Sequence, residues 1–267
     1  MRTSLLALGL LVALGRPAAA EAERPSILRQ VAFDQRIGET VPSDVVFRDE
    51  DGRTVRLGDY LGTKPVVLVP AYYECPMLCT LVLNGVVSAL RALPFDAGRE
   101  FTVVVFSFNP RESSELAAAK KATLLEQYRR PEAAAGWHLL VGDEDAIRRL
   151  TDAIGFRYAW DPAQQQYAHA SGLVVLTPEG RIARYFFGVE FAPRDLRLAL
   201  VEAADHRIGS VVDQLLLFCF HYDPATGRYS RVALGAVRWA GAATVLLLVG
   251  AIVLFLRRES AQGARTG

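Results

Sequence analysis

The sequence lacks an excess of charge of either sign, because 30 lysine and arginine residues balance 29 aspartate and glutamate residues among its 267 residues. Neither sign forms a long block, so the chain has no basic surface of the kind that follows a nucleic acid backbone. It also lacks internal repeats and low-complexity segments. Its hydrophobic content of 51% excludes intrinsic disorder and exceeds what a soluble domain needs. We therefore expect a folded protein that binds no nucleic acid and has a segment in contact with a membrane.

The N-terminus has the pattern of a secretory signal. Arg2 precedes an apolar run from Leu5 to Leu14, and alanines at 18–20 supply the small residues that signal peptidase recognises. The apolar run is short for a hydrocarbon core of about 30 Å, which favours cleavage over an uncleaved anchor. We predict a signal peptide over residues 1–20 and a mature chain that begins near Glu21.

The C-terminal region contains an uncharged apolar run from Trp239 to Leu256, which is long enough as a helix to cross a bilayer. An arginine pair follows it, as expected for a cytoplasmic tail. These features predict a juxtamembrane segment over 206–233, a transmembrane helix over 234–256 and a cytoplasmic tail over 257–267. The protein is then expected in the cell membrane as a single-pass protein, with its globular domain on the periplasmic or extracellular side.

Between these ends, strand-like apolar runs alternate with segments of helical periodicity, and the length suits one domain. The predicted elements are a hairpin around Asp51-Gly52, strands at 65–73, 101–108, 137–141, 173–176 and 182–187, and helices at 76–93, 113–128, 143–154 and 193–204. Strands that alternate with helices predict an α/β sheet with helices on both faces. We expect this domain over residues 41–205, after a lead-in segment over 21–40.

Two of the three cysteines, Cys75 and Cys79, stand where a buried strand gives way to a helix. If Pro76 begins that helix, Cys75 is its N-cap residue, and the helix dipole lowers the pKa of the thiol. Cys79 then lies about one turn further on the same face, where the two sulfurs can form a disulfide or bind one ion. The spacing leaves a structural disulfide, a redox pair and a metal site open. A structural zinc site would normally need a second cysteine pair, which the chain lacks.

An imidazole would complete a metal site with the two thiols. Two thiolates and one imidazole suit copper, because soft sulfur favours Cu(I) and an added nitrogen tolerates Cu(II). Among the four histidines, His169 precedes the predicted strand at 173–176, and its segment can reach the end of the strand that leads to Cys75. His138 is expected to pack within a short strand, and His206 to be solvated after a helix.

The order of these features resembles the Sco/SenC family of thioredoxin-fold copper proteins. The resemblance rests on the hairpin with Asp51-Gly52, the motif Cys75-Pro76-Met77-Leu78-Cys79 after a strand, and a distal His169 before a strand, the turn Pro178-Glu179-Gly180 and a second strand. It implies a thioredoxin-like fold: a central mixed sheet with helices on both faces and an N-terminal β-hairpin. It also implies one copper ion, Cu(I) or Cu(II), bound by Cys75, Cys79 and His169. The implied partner is cytochrome c oxidase subunit II, whose dinuclear copper centre the family serves, or another exported cuproprotein.

The chain departs from the family pattern at two positions near these residues. Ala168 stands where the family often has an aspartate directly before the ligand histidine, so we expect no carboxylate there to orient the imidazole. Asn109 stands where an aspartate is common after the second strand. Better-known members are anchored by an N-terminal helix, whereas this chain is expected to be anchored at its C-terminus, so a different partner is possible.

The third cysteine lies in Cys219-Phe220-His221, just before the predicted membrane helix. In an extended strand, Cys219 and His221 would face the same side and could both contact one ion or an incoming thiol. Alternatively, Cys219 packs as a small hydrophobe among residues 215–220. Because an odd cysteine in an exported protein needs an explanation, we consider an accessory copper or thiol-exchange site.

The leading interpretation is a membrane-anchored copper chaperone that hands its ion over by ligand exchange. The alternative is a thiol-disulfide oxidoreductase, in which Cys75 attacks a partner disulfide and Cys79 resolves the mixed disulfide. A thiol peroxidase of the same fold would have a threonine or serine shortly before the cysteine, whereas Tyr72-Tyr73-Glu74 precede Cys75.

Overall fold

A computed structural model of the chain describes residues 26–75 and 77–207, and beyond them residues 222–223, 228–229, 239, 241, 244–248 and 252. The strands are β1 (Ala32–Phe33), β2 (Val46–Arg48), β3 (Thr54–Arg56), β4 (Val66–Ala71), β5 (Thr102–Ser107), β6 (Trp137–Leu140), β7 (Phe156–Asp161), β8 (Gln166–His169), β9 (Gly172–Leu176), β10 (Ile182–Phe187), β11 (Tyr222–Asp223) and β12 (Arg228–Tyr229). The helices are α1 (Leu78–Arg91), α2 (Ser114–Tyr128), α3 (Glu144–Ala153) and α4 (Pro193–Ala204), with short 3-10 turns at Ser26–Arg29, Leu57–Tyr60 and Pro131–Gly136.

The fold is built on a five-stranded sheet in the order β10-β9-β4-β5-β6. Strands β4, β5 and β6 run parallel, whereas β9 pairs antiparallel with both β4 and β10. All six residues of β4 are buried, as expected for a strand that is covered on both faces. This mixed sheet confirms the predicted α/β architecture, and β2 and β3 form the predicted hairpin ahead of it.

The parallel strands place the cysteine pair at one edge of the sheet. Helix α1 follows β4 and helix α2 follows β5, so the carboxyl ends of β4, β5 and β6 meet at the same edge. Cys75 lies in the loop between β4 and α1. The buried face of α1 includes Val82, Val86 and Leu90, whose spacing is that of an amphipathic helix. The helix packs against α2 and α4.

A second sheet, in the order β1-β7-β8, carries His169 at the end of β8. The pairing of β7 and β8 is antiparallel, with Tyr158 opposite His169. No strand is predicted here from the sequence, because Asp161-Pro162 and three glutamines at 164–166 obscure the alternation of aromatic residues on either side. Strand β1 pairs with β7 and lies within the predicted lead-in segment, which thus contributes to the fold.

The hydrophobic core is centred on β5 and β6 and continues towards the second sheet. Its largest fully buried side chains include Trp137, Phe101, Phe106 and Phe108. Full burial of one such side chain stabilises a fold by roughly 1.5–3 kcal/mol relative to exposure. The rings of Phe108 and Phe156 lie 5.2 Å apart and join the two sheets beside the cysteine loop.

The prediction that Cys75 is the N-cap residue of α1 is wrong. The helix begins at Leu78, and Met77 is its N-cap, with φ −142° and ψ −71°. The Cys75 N–H instead donates to the carbonyl oxygen of Tyr72 at 3.3 Å, which closes a turn before the helix begins. The expected consequence nevertheless holds, because the backbone N–H of Cys79, in the first turn, donates to Cys75 Sγ at 3.2 Å.

The prediction of a transmembrane helix over residues 234–256 is also wrong. Within the part of the chain that the structure describes, no helix is long and apolar enough to cross a membrane. A span needs about 20 consecutive apolar residues in one helix. The described helical residues of this region are the run 244–248 and the positions 239, 241 and 252.

Several predicted features lie outside the described residues. These are the signal peptide over 1–20, the tail over 257–267, and the accessory pair Cys219 and His221. Within the predicted juxtamembrane segment over 206–233, the structure describes residues 206–207 and the short antiparallel pair of β11 and β12.

Candidate metal centre

The three predicted ligands come together in the structure. One ligand atom from each of Cys75, Cys79 and His169 lies within 4.8 Å of the other two. Cys79 Sγ and His169 Nε2 are 3.2 Å apart. These residues are separated by up to 94 positions in the chain, so their convergence is a property of the fold.

Three elements position these side chains. Cys75 lies in the loop after β4, Cys79 in the first turn of α1, and His169 at the end of β8. Strand β9, which begins three residues after His169, pairs with β4 and so brings the histidine to the cysteine loop. A β-carbon added at Gly172 would lie 2.3 Å from the carbonyl oxygen of Phe186, so this close approach requires glycine.

The imidazole of His169 is oriented by the backbone. Its Nδ1 lies 2.7 Å from the carbonyl oxygen of Ala170. A carbonyl oxygen only accepts hydrogen bonds, so Nδ1 carries the hydrogen and Nε2 is left to face the sulfurs or a metal ion. The backbone thus orients the ring, since residue 168 is an alanine and offers no carboxylate.

The two thiols have opposite electrostatic environments. Hydrogen bonding from the Cys79 side chain, aided by the backbone N–H of Cys79, lowers the pKa of Cys75 to about 3 against the effect of burial. Burial, followed by the neighbouring Cys75, raises the pKa of Cys79. Cys79 Sγ also accepts a hydrogen bond from the Tyr72 N–H at 3.4 Å. Cys75 is therefore the thiolate of the pair and Cys79 the thiol.

Aromatic rings enclose the imidazole. The rings of Tyr72, Phe108 and Phe156 lie 6.0, 5.1 and 6.2 Å from that of His169. Cys79 is only 2% exposed and Cys75 7% exposed, whereas His169 is half-buried. The two thiols are thus shielded from water, and the histidine is the most accessible of the three residues.

A groove of about 420 Å³ lies beside the cysteine loop. Its wall includes Tyr72 and Glu74 from the cysteine loop, and Arg111 and Trp160 from the opposite side. The guanidinium of Arg111 lies 5.0 Å from the centroid of the Trp160 ring. Met77, between the two cysteines, is 68% exposed. The surface around the thiols is thus open to a partner, although the thiols themselves are buried.

One residue of this region, Glu112, is not among those predicted from the sequence. Its carboxylate is 8% exposed and accepts the N–H groups of Tyr73 at 2.9 Å and Glu74 at 2.8 Å, as well as the hydroxyl of Ser107. Burial raises the pKa of this carboxyl. A useful signal was its place shortly after β5, because the carboxyl ends of parallel strands meet at the edge that carries Cys75.

The other predicted histidines lie away from the thiols. His138 lies in β6 with its ring 4.4 Å from that of Tyr60 and its Nδ1 3.9 Å from a carboxylate oxygen of Glu50. His206 follows α4, is largely exposed and pairs with Glu179. Both placements agree with the expectations of a packed and a solvated histidine.

Comparisons with known proteins identify relatives of this fold. A family model described as SCO1/SenC matches residues 34–203. A proposed electron transfer protein from Aquifex aeolicus VF5 is 26% identical, with 66% of this chain and 98% of that chain covered and a TM-score of 0.56. A SCO1/SenC family lipoprotein from Bacillus anthracis str. Ames is 16% identical, with 64% and 99% covered and a TM-score of 0.52. No curated protein matches the chain.

Some of the similar structures contain copper. ScoI from Arabidopsis thaliana, solved with copper bound, is 16% identical, with 64% of this chain and 99% of that chain covered and a TM-score of 0.50. At this identity the likeness shows the fold, which is the thioredoxin-like fold expected from the sequence. The family match extends over more than half of the residues, and we conclude that the chain belongs to the SCO1/SenC family.

Proposed function

We propose that this protein is a copper-transfer protein that binds one copper ion through Cys75, Cys79 and His169. The observation that carries the proposal is the convergence of two sulfurs and one imidazole nitrogen within 4.8 Å. Thiolates suit Cu(I), and the imidazole makes the set tolerant of Cu(II). Membership of the family, and a fold shared with a ScoI protein that binds copper, support this assignment.

The site has the asymmetry that ligand exchange requires. Cys75 has a lowered pKa and lies in a loop, whereas Cys79 and His169 are held by α1 and β8. An incoming ligand can therefore displace Cys75 first, while two ligands still hold the ion. The groove and the exposed Met77 beside the cysteine loop give a partner a surface to contact.

The client in this proposal is an exported cuproprotein. The family resemblance favours cytochrome c oxidase subunit II. The predicted signal peptide over residues 1–20 supports export of the domain, so that it meets its client outside the cytoplasm. Cys219 and His221 form an accessory site in the same proposal, and Cys219→Ser is expected to lower either copper stoichiometry or total thiol reactivity.

The second candidate is a thiol-disulfide oxidoreductase, and the contrast between the two thiols favours it. The Cys75 thiolate would attack one sulfur of a partner disulfide, forming a mixed disulfide and releasing the partner's other sulfur as a thiolate. Cys79 would then lose its proton and attack Cys75 Sγ, which releases the second partner thiolate. The pair ends as a disulfide, and its two electrons reduce the partner.

Copper retention by reduced, full-length protein tests the first function. We would load the protein anaerobically with Cu(I), remove weakly bound copper with a chelator, and measure copper per chain. About one copper is expected in the wild type, with a large loss in Cys75→Ser, Cys79→Ser and His169→Ala. His138→Ala is the matched control, because this histidine lies away from the thiols, and it should retain wild-type copper. Full retention by His169→Ala would contradict the proposal.

The same His169→Ala variant separates the two functions. Reduction of a disulfide-bonded test protein requires the two thiols but no metal ligand from His169, so thiol exchange should persist when copper retention is lost. A wild type that binds no copper stably and cycles rapidly between dithiol and disulfide would favour the oxidoreductase.

A further inference from the structure

Glu112 is a buried carboxylate without a cation. All three of its hydrogen-bond donors are neutral: two backbone N–H groups and the Ser107 hydroxyl. In the described part of the chain, no lysine, arginine or histidine forms an ion pair with it. Burial of a carboxylate is costly unless other groups compensate its charge. Because this costly charge lies at the same edge of the sheet as the thiols, we expect it to act on them.

Its hydrogen bonds act on the cysteine loop. Each carboxylate oxygen accepts one N–H, from Tyr73 and from Glu74, and these two residues immediately precede Cys75. Two consecutive peptide groups are thereby tied to the start of α2 by one side chain. This arrangement fixes the direction in which the chain enters Cys75, without contact between the carboxylate and either sulfur.

The charge of Glu112 lies beside the cysteine loop, because the two N–H groups that its carboxylate accepts belong to the residues directly before Cys75. Reduction of a Cys75–Cys79 disulfide takes two electrons and up to two protons. Wherever fewer than two protons are taken up, the neutral disulfide becomes an anion, and a nearby negative charge disfavours that form.

We propose that Glu112 is a positioning residue of the thiol pair, whose ionised carboxylate holds the loop before Cys75 and makes the Cys75–Cys79 disulfide harder to reduce. The proposal rests on the proposed function only in taking these thiols as the working groups. It concerns their equilibrium without copper, so it stands or falls independently of copper binding.

Two variants separate the charge from the shape. Glu112→Gln keeps the length of the side chain and one acceptor oxygen but removes the charge. Glu112→Asp keeps the charge and shortens the side chain by one methylene. If only the shape of the side chain matters, the dithiol–disulfide equilibrium should shift more in Glu112→Asp. If the charge matters, it should shift more in Glu112→Gln.

The dithiol–disulfide equilibrium is the measurement. All full-length proteins carry Cys219→Ser, so that only the thiols of Cys75 and Cys79 contribute to the measurement. They are equilibrated at pH 7 in buffers of reduced and oxidised dithiothreitol. Free thiols are then alkylated, and the reduced fraction is read from the mass. We expect Glu112→Gln to shift the equilibrium about tenfold towards the dithiol, which corresponds to about 30 mV for two electrons. Glu112→Asp should stay within about threefold of the wild type, a shift of about 15 mV.

Glu50→Gln is the matched control. Glu50 is also buried and also binds a backbone N–H, but Lys121 neutralises it, so its removal should leave the equilibrium unchanged. Thermal unfolding of each variant shows whether the protein is folded under the conditions of the redox measurement. An unshifted equilibrium in folded Glu112→Gln, or an equal shift in Glu112→Asp, would overturn the proposal.

Discussion

Two regions of this molecule each bury a glutamate, and they treat its charge differently. At the edge strand β6, Glu50 accepts the N–H of Leu139 at 2.9 Å and pairs with Lys121. At the cysteine loop, Glu112 accepts two N–H groups and a hydroxyl, and no cation pairs with it within the described residues. Both side chains are under 10% exposed. The residue type and the burial are alike, so the presence of a partner charge is what distinguishes the regions.

Because of this difference, the Glu50 carboxylate has a structural role, whereas the charge of Glu112 can act on neighbouring groups. The ion pair at β6 fastens α2 and the β2–β3 hairpin to the edge of the sheet, and it presents little net charge to its surroundings. The carboxylate at the cysteine loop keeps its charge in a region of low polarity, where such a charge acts over a longer distance than in water. The unpaired carboxylate of Glu112 lowers the stability of the fold beside the thiols. Such a local cost is typical of a functional site.

The largest effect is expected from breaking the ion pair at β6. Lys121→Met leaves the Glu50 carboxylate buried without its lysine, and such a loss costs about 3–5 kcal/mol when both partners are fully buried. Since the Lys121 side chain is 19% exposed, we expect a decrease of about 2–3 kcal/mol in the free energy of unfolding. Urea denaturation monitored by circular dichroism measures it.

Two further variants control this experiment. Glu50→Gln combined with Lys121→Met removes both charges and should recover much of the loss, because no unpaired ion remains. Lys120→Met changes the neighbouring lysine, which forms no ion pair among the described residues, and should have little effect. A change in Lys121→Met no larger than that in Lys120→Met would show that Glu50 does not depend on its cation.

A smaller effect is expected at Tyr73, which connects the two regions. Its N–H donates to Glu112, and its hydroxyl lies 2.8 Å from the carbonyl oxygen of Leu140, next to the residue whose N–H binds Glu50. Tyr73→Phe removes the hydroxyl only, and the loss of one buried hydrogen bond costs about 1 kcal/mol. Because the bond to Glu112 remains, the rate of Cys75 alkylation by iodoacetamide should be unchanged. A severalfold change in that rate would mean that the two regions are coupled.

The candidate ligands were predictable because each has a local signal in the sequence. Cys75 and Cys79 stand at a strand-to-helix junction, and His169 stands just before a strand, so topology alone brings them to one edge of the sheet. The main strands were equally clear, since β4 and β5 are continuous apolar runs. The start of α1 was not predictable, because it depends on a turn closed by the Tyr72 carbonyl oxygen.

Glu112 and the β7–β8 hairpin could not be derived in the same way. A glutamate after a strand is normally exposed, and only the folded chain shows that two N–H groups from a distant loop satisfy this one. The hairpin is stabilised by aromatic contacts across its strands, such as that of Trp160 with Tyr167 at 5.0 Å. The backbone carbonyl that orients His169 likewise has no signal in the sequence.

The smallest expected effect concerns pH and tests the comparison directly. Burial raises the pKa of Glu112 in the folded protein, against the opposing hydrogen bonds from Ser107, Tyr73 and Glu74. The folded state therefore binds this proton more tightly than the unfolded state does. The resulting stability is fully present below the unfolded pKa and is lost as the pH rises through the raised folded pKa. The free energy of unfolding of the wild type, relative to Glu112→Gln, should thus increase as the pH falls from 7 towards about 4.

Glu115→Gln, three residues further along in the first turn of α2, supplies a control of opposite sign. Glu115 is fully exposed, and hydrogen bonding from Ser113 lowers the pKa of its carboxyl, so any stability it contributes is lost as the pH falls. All other groups titrate alike in the compared proteins and cancel in the difference. A wild-type advantage over Glu112→Gln that does not grow on acidification would mean that the loop compensates the charge of Glu112 as fully as Lys121 compensates that of Glu50. The cysteine loop would then hold its carboxylate for structure alone, and the contrast between the two regions would disappear.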